Sequence, residues 1–437
     1  MNILKPAVAL TLSLGLLASC GQADEPAAEE APAIEAPAIE EAAEAPAEAV
    51  DAHHLTFSEA QDAYVEAYLA QVTEGPFDME RIVTEQSGLT HEEMSTVFAH
   101  PSLGMRGLEV MVDFMKPEGS MYFDAIFGAN YGQHDIRNWL VPTMVESSYL
   151  QFRPTGPTIF MDDGKGGTTI DEWVMVAAIG GEDIFLGNGI SVRRFRDGWI
   201  TDSIDVYDAA ISRNPPPADA AAMMAEMGGA EAAAEAPALP PYPEMNFQPI
   251  EAEAPHPISE AGQAWMDARL TIHAAGADPV NTTPSGLTND ELHDLHNDPV
   301  AGMDFNLIAD MMHPTESVYI DPIFGRFEGQ DAIRAWYTDI MGKVGNIQFE
   351  PIAKTVWNGE TSLQMWRQMA VLPNGDKVEM TWGFSVRKFK DGWMVYAADY
   401  FDTFPLQKPE VQAAAAQIGS SITLEDIMRY RSPAPSE

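Results

Sequence analysis

Two acidic residues stand in closely similar local sequences in the two halves of this 437-residue chain. Asp124 lies two residues after Tyr122 in YFDAIFG, and Asp321 lies two residues after Tyr319 in YIDPIFG. On a strand, residues two apart point to one face, so each Tyr and Asp would share a face. A carboxylate among apolar side chains is desolvated, its pKa rises, and it can accept and return protons. Alternatively, each Asp only shapes the turn before a Pro or Gly-rich loop.

These segments belong to an internal repeat. The sequence SGLT at 87–90 recurs at 285–288, GQHDIRNW at 132–139 corresponds to GQDAIRAW at 329–336, and GISVRRFRDGW at 189–199 corresponds to GFSVRKFKDGW at 383–393. The order is kept and the offset drifts only from 198 to 194 residues, as loop insertions and deletions would produce. The sequence therefore indicates a tandem duplication.

The same order of elements is predicted in both copies. A helix opens each copy, a second helix precedes a short strand, and an amphipathic helix follows. Long β-rich segments come next, and a last strand pair turns at an Asp-Gly. The pattern predicts an α+β fold, with an antiparallel sheet curled over helices in each copy. The predicted elements are helices at 58–72 and 259–273, strands at 120–124 and 317–321, helices at 136–144 and 333–341, and turns at 180–183, 373–376, 196–198 and 390–392.

A family resemblance covers nearly all of both copies. Residues 319–325 and 329–337 resemble the motif shared by ketosteroid isomerase and the SnoaL-like polyketide cyclases. The closing segments that end at 399–402 and 205–208 are similar to the end of SnoaL-like domains. The resemblance implies the nuclear transport factor 2-like, or cystatin-like, fold. In that fold a cone-shaped curved antiparallel sheet is closed by N-terminal helices around an apolar pocket. It leaves the chemistry open, because this fold hosts many functions.

The resemblance also implies roles for particular residues. It makes Asp321, and Asp124 as its counterpart, the general base that moves a proton beside a carbonyl. It puts the Tyr donor of the oxyanion hole at Tyr68, where the second copy has Arg269, and the acidic donor at positions that carry serine in both copies. Both departures count against steroid isomerisation, because a lost donor weakens transition-state stabilisation. No cofactor is implied.

Aromatic and serine side chains recur in both copies where they could line such a pocket. Repeated Trp residues can equally be core residues. His293 and His296 are three residues apart on a predicted helix but lack a third ligand, so no metal is predicted. The residues expected to line the pocket are Tyr122, Tyr319, Trp139, Trp336, Ser191, Ser385, Trp199 and Trp393.

The N-terminus predicts a location. Lys5 precedes an apolar run at 7–17 that is too short to span a bilayer but suits a secretory signal. The sequence LASCG at 17–21 resembles a bacterial lipobox, which implies lipidation of Cys20; an ordinary signal peptide is the alternative. Gly21 resembles the outer-membrane sorting pattern. We therefore expect a cell-envelope protein, anchored by lipid at Cys20 to the outer membrane and facing the periplasm.

Charge and composition divide the chain and exclude one class of partner. With 67 acidic and 24 basic residues the formal net charge is −43, so nucleic acid is not an expected partner. Two Ala-, Pro- and Glu-rich stretches predict disordered spacers. The predicted organisation is a signal peptide at 1–20, a spacer at 21–52, SnoaL-like domains at 53–213 and 257–408, a linker at 214–256, and a C-terminal helix and tail at 409–437, the helix reaching residue 431.

Three functions are compatible with these residues. The first is binding of a small apolar molecule, with or without a carbonyl group, in a cone pocket of the tethered protein. The second is acid–base catalysis of the isomerase, cyclase or dehydratase type, with the pocket Asp as proton shuttle and no cofactor. The third is a non-catalytic interaction module in which the two copies form an intramolecular pseudo-dimer. Of these, the degraded oxyanion donors favour binding over catalysis.

Overall fold

The computed structural model describes residues 56–72, 77–147, 150–162, 164–179, 182–209, 257–276, 280–298 and 300–430. Cys20, the predicted spacer at 21–52 and the predicted linker at 214–256 lie outside these residues. No helix within the described ranges is both long enough and apolar enough to cross a membrane.

In the described part of the first repeat, four helices pack on one seven-stranded sheet. Helices α1 and α2 each begin at a capping box, in which Ser58 and Thr90 accept an N–H from the third helical residue and that residue's side chain bonds back. The helices are α1 (Glu59–Gln71), α2 (His91–Val97), α3 (Arg106–Asp113) and α4 (Gly132–Glu146). The strands are β1 (Met121–Asp124), β2 (Gly128–Tyr131), β3 (Leu150–Pro154), β4 (Ile159–Met161), β5 (Gly166–Ile179), β6 (Glu182–Arg196) and β7 (Trp199–Tyr207).

The second repeat has the same order of elements, followed by two further helices. Its helices are α5 (Glu260–Ala274), α6 (Asn289–Asn297), α7 (Phe305–Met311) and α8 (Gly329–Val344), and the further ones are α9 (Pro409–Gln417) and α10 (Leu424–Tyr430). Its strands are β8 (Val318–Asp321), β9 (Gly325–Glu328), β10 (Ile347–Pro351), β11 (Val356–Trp357), β12 (Thr361–Val371), β13 (Lys377–Lys390) and β14 (Trp393–Phe401).

The two sheets have the same topology. The strand orders are β2-β1-β7-β6-β5-β3 and β9-β8-β14-β13-β12-β10, with β4 beside β5 and β11 beside β12. The pairs β1–β7 and β8–β14 are parallel, so the prediction of wholly antiparallel sheets is wrong for these pairs. In each repeat a short hairpin, β1–β2 or β8–β9, pairs with the last strand of the sheet, β7 or β14. This hairpin forms the edge opposite β3 or β10. Each repeat is therefore an α+β unit with a mixed sheet.

The long strands bend at irregularities in pairing. The register shifts between Arg194 and Phe195 on β6 and between Lys388 and Phe389 on β13. Such bulges bend a strand and increase its local twist, which curls each sheet over its helices.

The outer faces of the two sheets share one hydrophobic core. Along β6, Ile190 and Val192 face this shared core, whereas Ser191 and Arg193 alternate with them and point to the opposite face. The first repeat contributes Phe123, Met161, Ile170, Ile190, Val192, Ile204 and Val206, and the second contributes Ile352, Ala353, Leu363, Met365, Trp382, Phe384, Val386, Ala398 and Tyr400.

The buried carboxylate of Glu172 connects the two repeats inside this core. Glu172 on β5 accepts hydrogen bonds from Tyr396 (2.5 Å), Tyr400 (2.7 Å) and Lys388 (2.8 Å) of the second sheet. A charge can be buried at low cost only when it is paired and hydrogen-bonded. The cluster therefore fixes how the two sheets are placed on each other.

Reciprocal contacts join the ends of β7 and β14. Ala209 donates its backbone N–H to Asp402 (3.1 Å), and Thr403 donates its hydroxyl to Asp208 (2.7 Å). Each residue thus contacts the counterpart of its own neighbour, as in a self-complementary interface.

The C-terminal segment differs from its prediction. The sequence predicts one helix from residue 409 to 431, but two helices are present with a break at Gly419, where φ is +80°. A glycine in this conformation ends helices because it carries no Cβ. The second helix, α10, is held on α8 by Lys343, which bonds Asp339 (2.8 Å) and Asp426 (2.6 Å).

Candidate functional site

Asp321 lies at the end of β8, where the strand gives way to a tight turn. Its Oδ1 accepts backbone N–H groups from Ile323 (2.8 Å) and Phe324 (2.9 Å). These two bonds form the turn and fix the carboxyl group, which is only 8% exposed. Tyr319, two residues earlier, points to the same face of the strand and is also buried.

The surroundings of Asp321 favour its neutral form. Burial, the largest effect, and the neighbouring carboxylates of Asp399 and Asp208 together raise the pKa of Asp321 to about 7, against the two backbone N–H groups that lower it. The group can therefore gain and lose a proton near neutral pH.

A polar network covers the sheet beside Asp321. The Tyr319 hydroxyl donates to Asp399 on β14, and Asp399 also accepts from Ser385 (2.6 Å) and Arg387 (2.8 Å) on β13. Ser385 in turn accepts the indole N–H of Trp366 (2.7 Å) on β12. The members bond one another, so the network is an internally satisfied floor with buried charge.

A cavity of about 1110 Å³ opens above this floor. Asp321, Tyr319 and Asp399 line it together with aromatic and aliphatic side chains. Its size and its apolar walls with a few convergent polar groups are typical of small-molecule sites. The largest apolar side chains in the wall are Phe305, Phe324, Trp336, Tyr337, Phe349, Trp357, Trp366 and Phe401.

Segments outside the second cone complete the cavity. Helices α9 and α10 contribute Val411, Ala415 and Ile427, so the C-terminal segment closes one side. The first repeat contributes Lys165 and Arg194 at another side. The sequence repeat predicts neither contribution, because one lies beyond the duplicated unit and the other comes from its partner copy.

The first repeat carries a related but altered arrangement. The Tyr122 hydroxyl donates to Asp205 (2.5 Å), as Tyr319 does to Asp399, and Ser191 accepts the indole N–H of Trp173 (2.9 Å). The guanidinium of Arg193, however, is bonded to Asp171. Position 171 corresponds to Gln364 in the second repeat, since both lie opposite the serine in the sheet register.

Asp124 has a side-chain hydroxyl as a hydrogen-bond donor, which Asp321 lacks within the described residues. Its Oδ1 accepts N–H groups from Ile126 (2.7 Å) and Phe127 (3.0 Å), and the Tyr207 hydroxyl lies 3.2 Å from both carboxyl oxygens. Burial, the largest effect, and the charge of Asp205 together raise the pKa of Asp124 to about 6, against the three hydrogen-bond donors that lower it. The second repeat has Phe401 where the first has Tyr207.

Tyr68 lies on α1 and packs among the helices of the first repeat. Its hydroxyl donates to Glu109 (3.1 Å) on α3, whereas the hydroxyl that reaches Asp124 is that of Tyr207. At the corresponding place in the second repeat, Arg269 pairs with Asp310 (2.6 Å). These side chains belong to buried ion clusters that hold the helices together, and the oxyanion role expected for Tyr68 has no geometric support beside Asp124.

The tryptophans expected in the pocket fall into two groups. Trp336 lines the cavity, and Trp139, its counterpart, contacts Tyr122 at a ring distance of 5.3 Å. Trp393 instead packs on His313 (5.5 Å), outside the cavity wall, and Trp199 starts β7 at the corresponding hairpin. The Asp-Gly turn that precedes each of these two residues places them at the far end of the sheet.

His293 and His296 are neighbours of the cavity without forming a metal site. His293 stacks on Trp357 at 4.4 Å, and His296 lies 3.4 Å from the Arg387 guanidinium. Burial and the charge of Arg387 hold the pKa of His296 well below its ordinary 6.5. In the part of the chain that the structure describes, no group of three metal-ligating side chains is present.

Reasoning from sequence missed Arg387, Asp399 and Phe401. The sequence does contain a pattern that points to these residues. Ser385 and Arg387 are two residues apart on one strand, and Asp399 and Phe401 are two residues apart on the next. Strand alternation puts each pair on one face. The register that brings Ser385 opposite Asp399 was needed to join them.

Comparison with known proteins agrees with this architecture. The family model described as a SnoaL-like domain matches residues 296–397, which include β8, β13 and most of β14 and end two residues before Asp399. The second repeat is a SnoaL-like domain. The first repeat repeats the strand order of this SnoaL-like domain. A search of curated proteins finds no significant match to the chain.

Three solved structures illustrate the likeness. TerC, co-crystallised with polyporic acid, is 17% identical over 26% of this chain and 92% of its own, with a TM-score of 0.23. A putative polyketide cyclase from Sinorhizobium meliloti is 19% identical over 25% of this chain and 93% of its own, with a TM-score of 0.20. A putative isomerase of the SnoaL-like family from Agrobacterium tumefaciens is 20% identical over 31% of this chain and 99% of its own, with a TM-score of 0.19.

Proposed function

We propose that the second repeat binds a small, largely apolar molecule in its cavity. The single observation that carries this proposal is the coexistence of about 1110 Å³ of space, aromatic walls and one buried carboxyl group. Removing apolar ligand surface from water supplies the affinity, and a few fixed polar groups orient the ligand.

The internal bonding of the floor supports binding with orientation by Asp321. Tyr319, Ser385 and Arg387 all bond Asp399 and so satisfy one another. Asp321 lines the cavity, and among the residues that the structure describes its hydrogen bonds are made at Oδ1, so Oδ2 can accept one from a ligand. A polar group of the ligand would find its partner there.

A substitution that places a large side chain in the cavity tests this proposal. Ala415 on α9 lines the cavity, whereas Ala413 on the same helix is exposed and does not. With Nile red as a neutral apolar probe, we expect Ala415→Trp to reduce the fluorescence increase seen with the wild-type chain, because the indole takes up part of the cavity. Ala413→Trp, the matched control, should keep it. Equal probe binding by both variants would contradict the proposal.

A second candidate function is acid–base catalysis on an apolar carbonyl compound. It is favoured by the pKa of about 7 at Asp321, which suits a group that removes and returns a proton at neutral pH. NMR of the exchange of α-protons of 2-tetralone in D₂O tests this function. Catalysed exchange that Asp321→Asn removes would support it, and exchange equal in both chains would exclude Asp321 as the base.

We also propose that this binding takes place in the cell envelope, with Cys20 as the lipid anchor. The proposal rests on the apolar run at 7–17 and the LASCG sequence. Membrane fractionation tests it: the wild-type chain should sediment with the outer membrane and Cys20→Ser should not. Co-sedimentation of the variant would argue against the anchor.

A further inference from the structure

The aromatic side chain at the end of the last strand differs between the two repeats by one oxygen atom. Tyr207 at the end of β7 lies opposite Gly189 in the sheet, and Phe401 at the end of β14 lies opposite Gly383. Gly189 and Gly383 occupy equivalent places in the repeated sequence, so Tyr207 and Phe401 are counterparts.

The rings of these counterparts are placed alike. The Tyr207 ring lies 5.7 Å from that of Trp173 with an interplanar angle of 55°, and the Phe401 ring lies 5.8 Å from that of Trp366 at 60°. Both side chains are buried, with 7% and 8% exposure. The second repeat therefore has the ring and lacks only the hydroxyl group.

Without this hydroxyl, the position beside Asp321 that corresponds to the Tyr207 hydroxyl is not occupied by the side chain of residue 401. In the first repeat the Tyr207 hydroxyl is 3.2 Å from both oxygens of Asp124. In the second repeat Asp321 and Phe401 both line the cavity, so this place is open to a ligand. Within the described residues Asp321 Oδ2 accepts no such bond, and a ligand that supplies the donor adds a hydrogen bond to a carboxylate in a largely dry site.

We propose that the ligand of the second repeat is an apolar molecule that carries a hydroxyl group, which donates to Asp321 from the place that the Tyr207 hydroxyl takes at Asp124. This inference rests on the proposed function, since it requires an apolar molecule in the cavity. The first repeat thus contains, as part of its own chain, the contact that the second repeat makes to its ligand. An aromatic body suits the walls, which Trp366, Phe401 and Phe324 provide.

A pair of probes that differ only in the hydroxyl group tests this inference on the full chain. We expect 2-naphthol to bind about 10- to 100-fold more tightly than naphthalene at pH 8, the range for a hydrogen bond to a charged acceptor. Phe401→Tyr places the hydroxyl of the protein itself at Asp321. This variant should lose the preference for 2-naphthol and keep its affinity for naphthalene within about threefold.

The matched substitution in the other repeat is the control. Tyr207→Phe makes the reverse change and should leave the preference for 2-naphthol in place. A crystal structure of the 2-naphthol complex should show the hydroxyl oxygen within about 3.2 Å of Asp321, which tests the contact even if Phe401→Tyr does not fold.

The outcomes separate this inference from the proposed function. Equal binding of both probes to the wild-type chain, or a preference that survives in folded Phe401→Tyr, would overturn the hydroxyl inference and leave apolar binding intact. Binding of neither probe, together with no Nile red uptake, would overturn the proposed function and the inference with it.

Discussion

Replacing Asp321 with Asn should change how the stability of the protein depends on pH. In the unfolded chain the carboxyl group loses its proton near its ordinary pKa of 3.8, whereas in the folded chain it keeps the proton until a pKa of about 7. Between these values the folded state holds more protons than the unfolded state. The free energy of unfolding therefore falls as pH rises through this window and is level above it.

The size of the effect follows from the shift. About three pKa units at about 1.4 kcal/mol each give about 4 kcal/mol. Asn carries no proton to lose, and its amide oxygen still accepts the backbone N–H groups of Ile323 and Phe324. Relative to wild type, Asp321→Asn should therefore gain about 4 kcal/mol between pH 4 and pH 8.

Urea denaturation of both chains across this pH range measures the difference. Other titrating groups are common to both chains and cancel in the comparison. Asp331→Asn, at an exposed position on α8, controls for the loss of one negative charge and should follow the wild-type curve. If the difference between Asp321→Asn and wild type changes by less than about 1 kcal/mol, the carboxyl group is solvated and the reasoning about a dry cavity floor is wrong.

The remaining predictions concern the first repeat and the sheets. Asp124→Asn should show a pH effect of the same sign and smaller size, because the pKa of Asp124 rises only to about 6 and its side chain is more exposed; urea denaturation against pH checks this. Glu172→Met should cost about 2–4 kcal/mol of unfolding free energy, since buried hydroxyl donors such as Tyr400 lose their acceptor; an unchanged urea midpoint would contradict it. Gly383→Ala should destabilise by about 3 kcal/mol or prevent folding, because a Cβ there would lie 2.2 Å from the Tyr400 carbonyl oxygen; the melting temperature measures this.

Much of the fold could be predicted because the duplication shows each element twice. Glycines and Asp-Gly pairs mark the turns in both copies, and the Tyr and Asp at the end of the short strand share a face by simple alternation. The helical and strand segments accordingly lie near their predicted positions. Pairing direction could not be predicted, since it depends on which edge of the sheet receives β1 and β8 rather than on local sequence.

The site depended on information that no local pattern carries. Arg387 joins Asp399 only through the register of β13 with β14, and Ile427 reaches the cavity on α10, after the chain turns at Gly419. The difference between Tyr207 and Phe401 is visible in the sequence. Its meaning appears only when the ring positions and the bonds of Asp124 are compared with those of Asp321.

The central claim, that the cavity of the second repeat holds a small apolar molecule, is tested most directly by native mass spectrometry of the protein purified from the cells that make it. We expect a bound small molecule on the wild-type chain and on Ala413→Trp, released on denaturation, and a lower occupancy on Ala415→Trp. A wild-type chain that carries no such molecule, or Ala415→Trp carrying it at the same occupancy, would contradict this claim.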